Sequence, residues 1–208
     1  GLVSALVLRR DLAPESAAEL DGFVHQAVIA SFVQRGCAPD VEQLARTLAQ
    51  PAQLIESALE RLHRGHGLVL HPGSHSVWIA HPFSSTPTNV WVETTARGWW
   101  APCLWCALGV CALAAPNASI HARIGGERDA LRIEVRGGEL VDPTPLVHFG
   151  TPPRHAWDNV HAWCASVQPF ERAEQVDAWC ARHALPRGEC IPIAQVQRLA
   201  RAWYGRHL

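Results

Sequence analysis

Three of the seven cysteines and three of the nine tryptophans fall within fourteen residues, GWWAPCLWCALGVC, from Gly98 to Cys111. Pro102 suits the first turn of a helix, where its missing N–H would have had no partner, and Leu104, Ala107, Leu108 and Val110 continue as a buried helical run. Cys103 then sits in the first turn and Cys106 one turn on. Residues three apart share a helix face, so both sulfurs can enter one pocket, and the free N–H groups and positive end of the helix dipole favour a thiolate. Polarisable sulfur matches polarisable metal, so converging thiolates suit Hg(II), Cu(I), Cd(II) or Zn(II). Cys164, in HAWCASVQPF, follows a strand-like run flanked by Trp157 and Trp163 and could reach the same pocket from a sheet. Cys37, Cys111, Cys180 and Cys190 read as small buried hydrophobes. A Cys103-x-x-Cys106 dithiol redox centre is a rival, but no thioredoxin-type βαβ unit precedes it.

The elements around this stretch suggest an α+β chain of two parts. Asp21 is a candidate N-cap for a helix in FVHQAVIASFVQRG, with Phe23, Val24, Ala27, Val28, Ala30, Phe32 and Val33 in its apolar stripe and Gly36 as its stop. Asp40 caps VEQLARTLAQ, and Pro51 opens AQLIESALERLHRG, whose Leu54, Ile55, Ala58, Leu59 and Leu62 face inward. Two apolar runs around Pro72-Gly73 then signal a hairpin. Three helices and a hairpin make a winged-helix-like unit over residues 1–82, its first 20 residues a lead-in. Residues 83–208 form a second domain: NVWVET, SIHARIGG, ALRIEVRGG and LVHFG have the alternation of a small antiparallel sheet, with another strand expected between Trp157 and Phe170. ERAEQVDAWCARHAL and IPIAQVQRLARAWYGRHL read as flanking helices, the first with Ala173, Val176, Trp179, Cys180 and Leu185 inward, the second with Val196, Leu199 and Trp203 on one face.

Charged residues are 18% and apolar residues 48%, a folded rather than a disordered composition. The net charge of −1 gives no electrostatic case for nucleic acid or an anionic membrane. A winged helix raises the prospect of DNA binding, but between Asp21 and His66 five acids face four arginines. No apolar run is long enough to span a bilayer, and the opening arginines follow the apolar patch, the wrong order for a secretory signal, so a cytoplasmic protein is expected. With seven cysteines, an odd number, free thiols are expected over a full disulfide framework. His63, His66, His71, His75 and His81 crowd the hairpin without HxxxH or HExxH spacing and read as solvated or satisfied. No G-x-S-x-G, phosphate-cradling glycine loop or paired carboxylate supports a hydrolase.

The order of HPFSSTPTNVWV, WWAPCLWCALGV, WCASVQPF and VDAWCARHALPRG over roughly residues 21–205 resembles the organomercurial (alkylmercury) lyase family. In that family a cysteine opens a C-x-x-D motif on the central helix and a second cysteine comes from a later strand. The resemblance places the first on Cys103, the second on Cys164 and the motif's aspartate on Cys106. It implies cleavage of a carbon–mercury bond by protonolysis, releasing hydrocarbon and leaving Hg(II) on Cys103 and Cys164. Cys106 would be proton donor or third ligand, and Trp99, Trp100, Trp105 and Trp163 would line the pocket for the organic group. No cofactor is implied: an organomercurial or other soft-metal compound is the substrate, and cellular thiols accept the metal. The alternative is a non-catalytic soft-metal or organometal binding protein that uses all three cysteines.

Overall fold

The computed structural model describes residues 19–156 and 159–205. Residues 1–18 of the expected lead-in and Trp157 lie outside the described residues. The first elements among the described residues are three helices, α1 (Glu19–Arg35), α2 (Val41–Leu48) and α3 (Ala52–Arg64). Asp40 caps α2 by accepting the Gln43 N–H at 2.7 Å, while the Gln43 side chain returns to the Asp40 N–H at 3.2 Å. This reciprocal box satisfies two donors that a helix start leaves free. Asp21 is not a cap. It lies within the first turn of α1, buried, its carboxylate gripped by the Arg61 guanidinium at 2.6 Å, which ties α1 to α3.

Next come β1 (Val69–Leu70), β2 (Val77–Ala80), β3 (Phe83–Ser84), β4 (Val90–Glu93) and β5 (Gly98–Trp100), then the central helix α4 (Leu104–Leu113). Strands β6 (Ala118–Arg123), β7 (Ala130–Arg136) and β8 (Glu139–Leu140) complete an eight-stranded antiparallel sheet in the order β1-β2-β3-β5-β4-β6-β7-β8. A second antiparallel sheet runs β10-β9-β11, from β9 (Leu146–Phe149), β10 (Val167–Phe170) and β11 (Glu189–Pro192). Between β9 and β10 lies the short helix α5 (Val160–Ala165), between β10 and β11 lies α6 (Ala173–His183), and α7 (Ile193–Tyr204) closes the chain. The larger sheet is therefore more extensive than the small one expected. It also continues across residue 82, because β2 pairs with β3 through Ile79↔Ser84 and Ala80↔Phe83.

Four expectations change. The strand sought between Trp157 and Phe170 occupies only Val167–Phe170, because Asn159 accepts the Ala162 N–H at 3.0 Å and starts a helix there. Phe23, Leu54 and Leu185 are about half exposed, the first two on the outer sides of their helices and Leu185 beyond the C-cap of the helix Ala173–His183. On α7 the buried face is Ile193, Val196, Gln197, Ala200 and Tyr204, so it is turned toward Tyr204 and leaves Leu199 and Trp203 half-buried. Pro102 lies before α4, because Cys103 holds extended backbone as the N-cap.

From Leu104 through Cys111 every residue of α4 is buried, as expected of a helix apolar on all sides. The core around it is continuous from Val24 on α1 to Tyr204 on α7. Phe32 on α1 stacks on Phe83 on β3 with centroids 5.1 Å apart, and the Trp99 indole N–H donates to the Phe32 carbonyl at 2.7 Å. The Arg97 guanidinium also donates to the carbonyls of Val33 and Gln34 at the end of α1. Gly109 lets α7 pack against α4, since a Cβ there would lie 2.3 Å from the Tyr204 ring.

Two outcomes follow. Phe32→Ala, which empties a fully buried aromatic site, should cost about 3–5 kcal/mol and leave a single unfolding transition, because the helical unit and the sheet share this core; two separated transitions in a denaturant melt would contradict it. Gly109→Ala should destabilise by about 1–3 kcal/mol by overpacking against Tyr204, read as a lowered denaturant midpoint.

Candidate metal-thiol site

Four elements meet at one buried hollow. The N-terminus of α4 brings Cys103 and Cys106, α5 brings Cys164, the end of β2 leads into His81, and the last turn of α7 brings Tyr204. The Cys103 and Cys106 sulfurs lie 3.6 Å apart. An N-cap side chain and the residue three positions on naturally face each other at a helix start, which is the physical sense of the C-x-x-C spacing here. Cys106 Sγ is also 3.4 Å from His81 Nδ1 and 3.7 Å from the Tyr204 hydroxyl. Ligand atoms of His81, Cys106 and Cys164 all lie within 4.8 Å of one another. The sequence-predicted thiols are thus brought together, although Cys164 arrives on a short helix rather than from a strand.

The three thiols are buried and share hydrogen bonds, so their protonation is divided unequally. Burial alone would raise Cys103, but hydrogen bonding with the Cys106 and Cys164 thiols and the nearby Cys106 N–H outweighs it and holds Cys103 well below the ordinary thiol value. Burial and the neighbouring Cys103 charge push Cys106 well up. Cys164 is pushed well up by donating to Cys103 and Cys106, with burial adding to the effect. Of the three, Cys103 is therefore the sulfur that ionises first, while Cys106 and Cys164 hold their protons more tightly. Burial drives the His81 imidazole down to about 4, so it is neutral, and keeps the Tyr204 phenol protonated.

The tryptophans divide. Trp105 and Trp163, the neighbours in sequence of Cys106 and Cys164, meet edge to face with centroids 5.9 Å apart, and Phe149 packs against both. The Trp163 indole N–H donates to the Thr151 carbonyl at 3.0 Å. Trp99 is committed to Phe32 and Phe83 in the sheet. Trp100 packs on Trp91 and lines a separate surface groove of about 430 Å³ with Cys37, Asp40 and His71, which holds none of the three thiols.

Two residues of the hollow were not expected. His81 was read with the solvated histidines of the hairpin; it enters the site, and its Nε2 is buried without a hydrogen-bond partner. Its signal was position, at the head of the HPFSST segment. Tyr204 is the single tyrosine of the chain, and only the long-range packing of α7 on Gly109 puts it here.

The arrangement can bind a soft ion through sulfur and hold protons beside it. The chain matches the family model described as MerB, alkylmercury lyase, over residues 83–205, more than half its length. A solved structure described as the mercury-bound form of MerB2 superposes with a TM-score of 0.72 at 17% identity, covering 96% of this chain and 95% of that one. No curated protein matches this sequence. Among the described residues no helix is long and apolar enough to cross a membrane. Family match and shared fold agree with the thiol geometry: the chain belongs to the alkylmercury lyase family.

Proposed function

We propose that the chain cleaves a carbon–mercury bond by protonolysis, with Cys103 and Cys164 taking the metal and Cys106 delivering the proton. The observation that carries this reading is the meeting of three buried sulfurs from two parts of the chain, Cys103 3.6 Å from Cys106 and Cys164 within 4.8 Å of Cys106, with Cys103 the easiest of them to ionise. A thiolate attacks a soft metal, and a thiol held beside it stores the proton that the leaving carbon needs.

The steps balance without a cofactor. The Cys103 thiolate bonds to mercury in R–Hg–X and displaces X⁻. Bonding of Cys164 sulfur raises electron density on carbon, and the Cys106 thiol protonates that carbon as the R–Hg bond breaks. The Cys164 proton passes to Cys106, which is left protonated as before, and Hg(II) remains on Cys103 and Cys164. The order is supported by acidity, since the hydrogen bond between Cys106 and Cys164 lowers the former and raises the latter. Trp105, Trp163 and Phe149 supply an apolar wall for R, which favours aryl and alkyl groups over charged ones. The metal then leaves to a small cellular thiol, in keeping with a cytoplasmic setting.

Cys106 stands where the family motif has aspartate. A third sulfur 3.6 Å from the first favours a second reading, retention of the metal by three thiols without hydrocarbon release. The two are separated by the hydrocarbon.

With phenylmercury and excess thiol, the wild type should release benzene and Cys103→Ser should release none; equal release by both would end the proposal. Cys106→Ser should still bind Hg(II) but release benzene about 10²- to 10⁴-fold more slowly, the range for loss of a positioned acid, and unchanged release would assign the proton elsewhere. Because Cys103 lies well below the ordinary value, it stays ionised as pH falls through the free-thiol value. Capture of phenylmercury should therefore fall less steeply below about pH 8 than capture by a free thiol of pKa about 8.5, which loses roughly tenfold of its thiolate per unit. A free-thiol slope in stopped-flow capture would contradict the ionised Cys103.

A further inference from the structure

Outside the proposed reaction, His81 has no task, yet its ring is held at the sulfurs. The ring nitrogen of His81 that faces the sulfurs is Nδ1, while Nε2 is buried without a hydrogen-bond partner among the described residues. Its Nδ1 finds only sulfur, Cys106 at 3.4 Å.

We propose that His81, Cys106 and Cys164, with Cys103 as fourth donor, form a closed site for zinc. Zinc takes four nitrogen and sulfur ligands tetrahedrally, and Cys₃His is among its structural donor sets. With Zn–S bonds of about 2.3 Å and Zn–N bonds of about 2.0 Å, neighbouring donors lie about 3.5 to 3.8 Å apart. The observed His81 Nδ1 to Cys106 distance is 3.4 Å and the Cys103 to Cys106 distance is 3.6 Å. Ligand atoms of His81, Cys106 and Cys164 lie within 4.8 Å of one another, while Cys103 stands outside that group and would join it through its 3.6 Å contact with Cys106. Cys103 and Cys106 come from one helix start, Cys164 from α5 and His81 from beyond β2, so the ion would tie together three separate parts of the chain.

Imidazole is what distinguishes this site from one built for mercury. Mercury is satisfied by sulfur, whereas zinc, a borderline ion, is well served by a nitrogen ligand. The zinc form would also keep the thiols from oxidation until a softer ion displaces it.

The test uses the reduced full chain and zinc alone, with no organomercurial, so its failure is distinguishable from failure of the lyase reading. Competition with a chromophoric chelator should give one zinc per chain. His81→Ala should weaken that affinity by at least about tenfold, the lower bound for losing even an outer-shell partner of a metal ligand. Zinc-edge absorption on the wild type is independent of how the variant folds, and should show three sulfurs and one imidazole. A shell without imidazole, or unchanged affinity in a folded His81→Ala, would overturn the proposal.

Discussion

Three sulfurs and an imidazole removed from water cannot all carry charge, and the organisation of this protein turns on that constraint. An isolated buried thiolate is costly. Here the cost is offset at one position, because the Cys106 and Cys164 thiols lie beside Cys103 and the start of α4 presents backbone N–H groups. Ionising one sulfur makes its neighbours harder to ionise, so the same contacts that create a nucleophile create a reserve of protons beside it. The hollow thus holds the two ingredients of protonolysis in one hydrogen-bonded cluster.

The surrounding fold serves mainly to bring these groups together and exclude water. Helix α4 is apolar on every side and sits in the core, so its first turn opens into protein rather than solvent. Helix α5, though only six residues long, turns Cys164 inward just before β10. At position 109 glycine permits an approach that any side chain would block, and that approach carries the Tyr204 hydroxyl to Cys106. On the other side, Phe32 and Phe83 lock the helical unit to the sheet, so β2 and His81 are held by the same core as the thiols.

Much of this could be read in the sequence. The Cys103/Cys106 pair was visible because three-residue spacing at a helix start is a local geometric fact, and the first three helices because caps such as Asp40 and stripes such as Ile55, Ala58 and Leu59 are local too. Cys164 was visible through family resemblance more than through its surroundings, and its helix was mistaken for strand because Trp163 and its neighbours carry no clear period. Tyr204 was not legible, since its role depends on a helix packing against a glycine 95 positions earlier. His81 was lost among similar residues: five histidines crowd one segment, and only the turn from β2 into β3 selects one of them for the interior. Trp100 shows the opposite error, a residue next to the motif in sequence that the alternation of β5 sends to another groove.

The most direct measurement is a single turnover in deuterated buffer, with one equivalent of phenylmercury per reduced chain and the products followed by mass spectrometry. The account predicts one benzene bearing one deuterium per chain, with Hg(II) left bound to the protein through Cys103 and Cys164. Phenylmercury recovered intact on the cysteines, with no benzene formed, would contradict it.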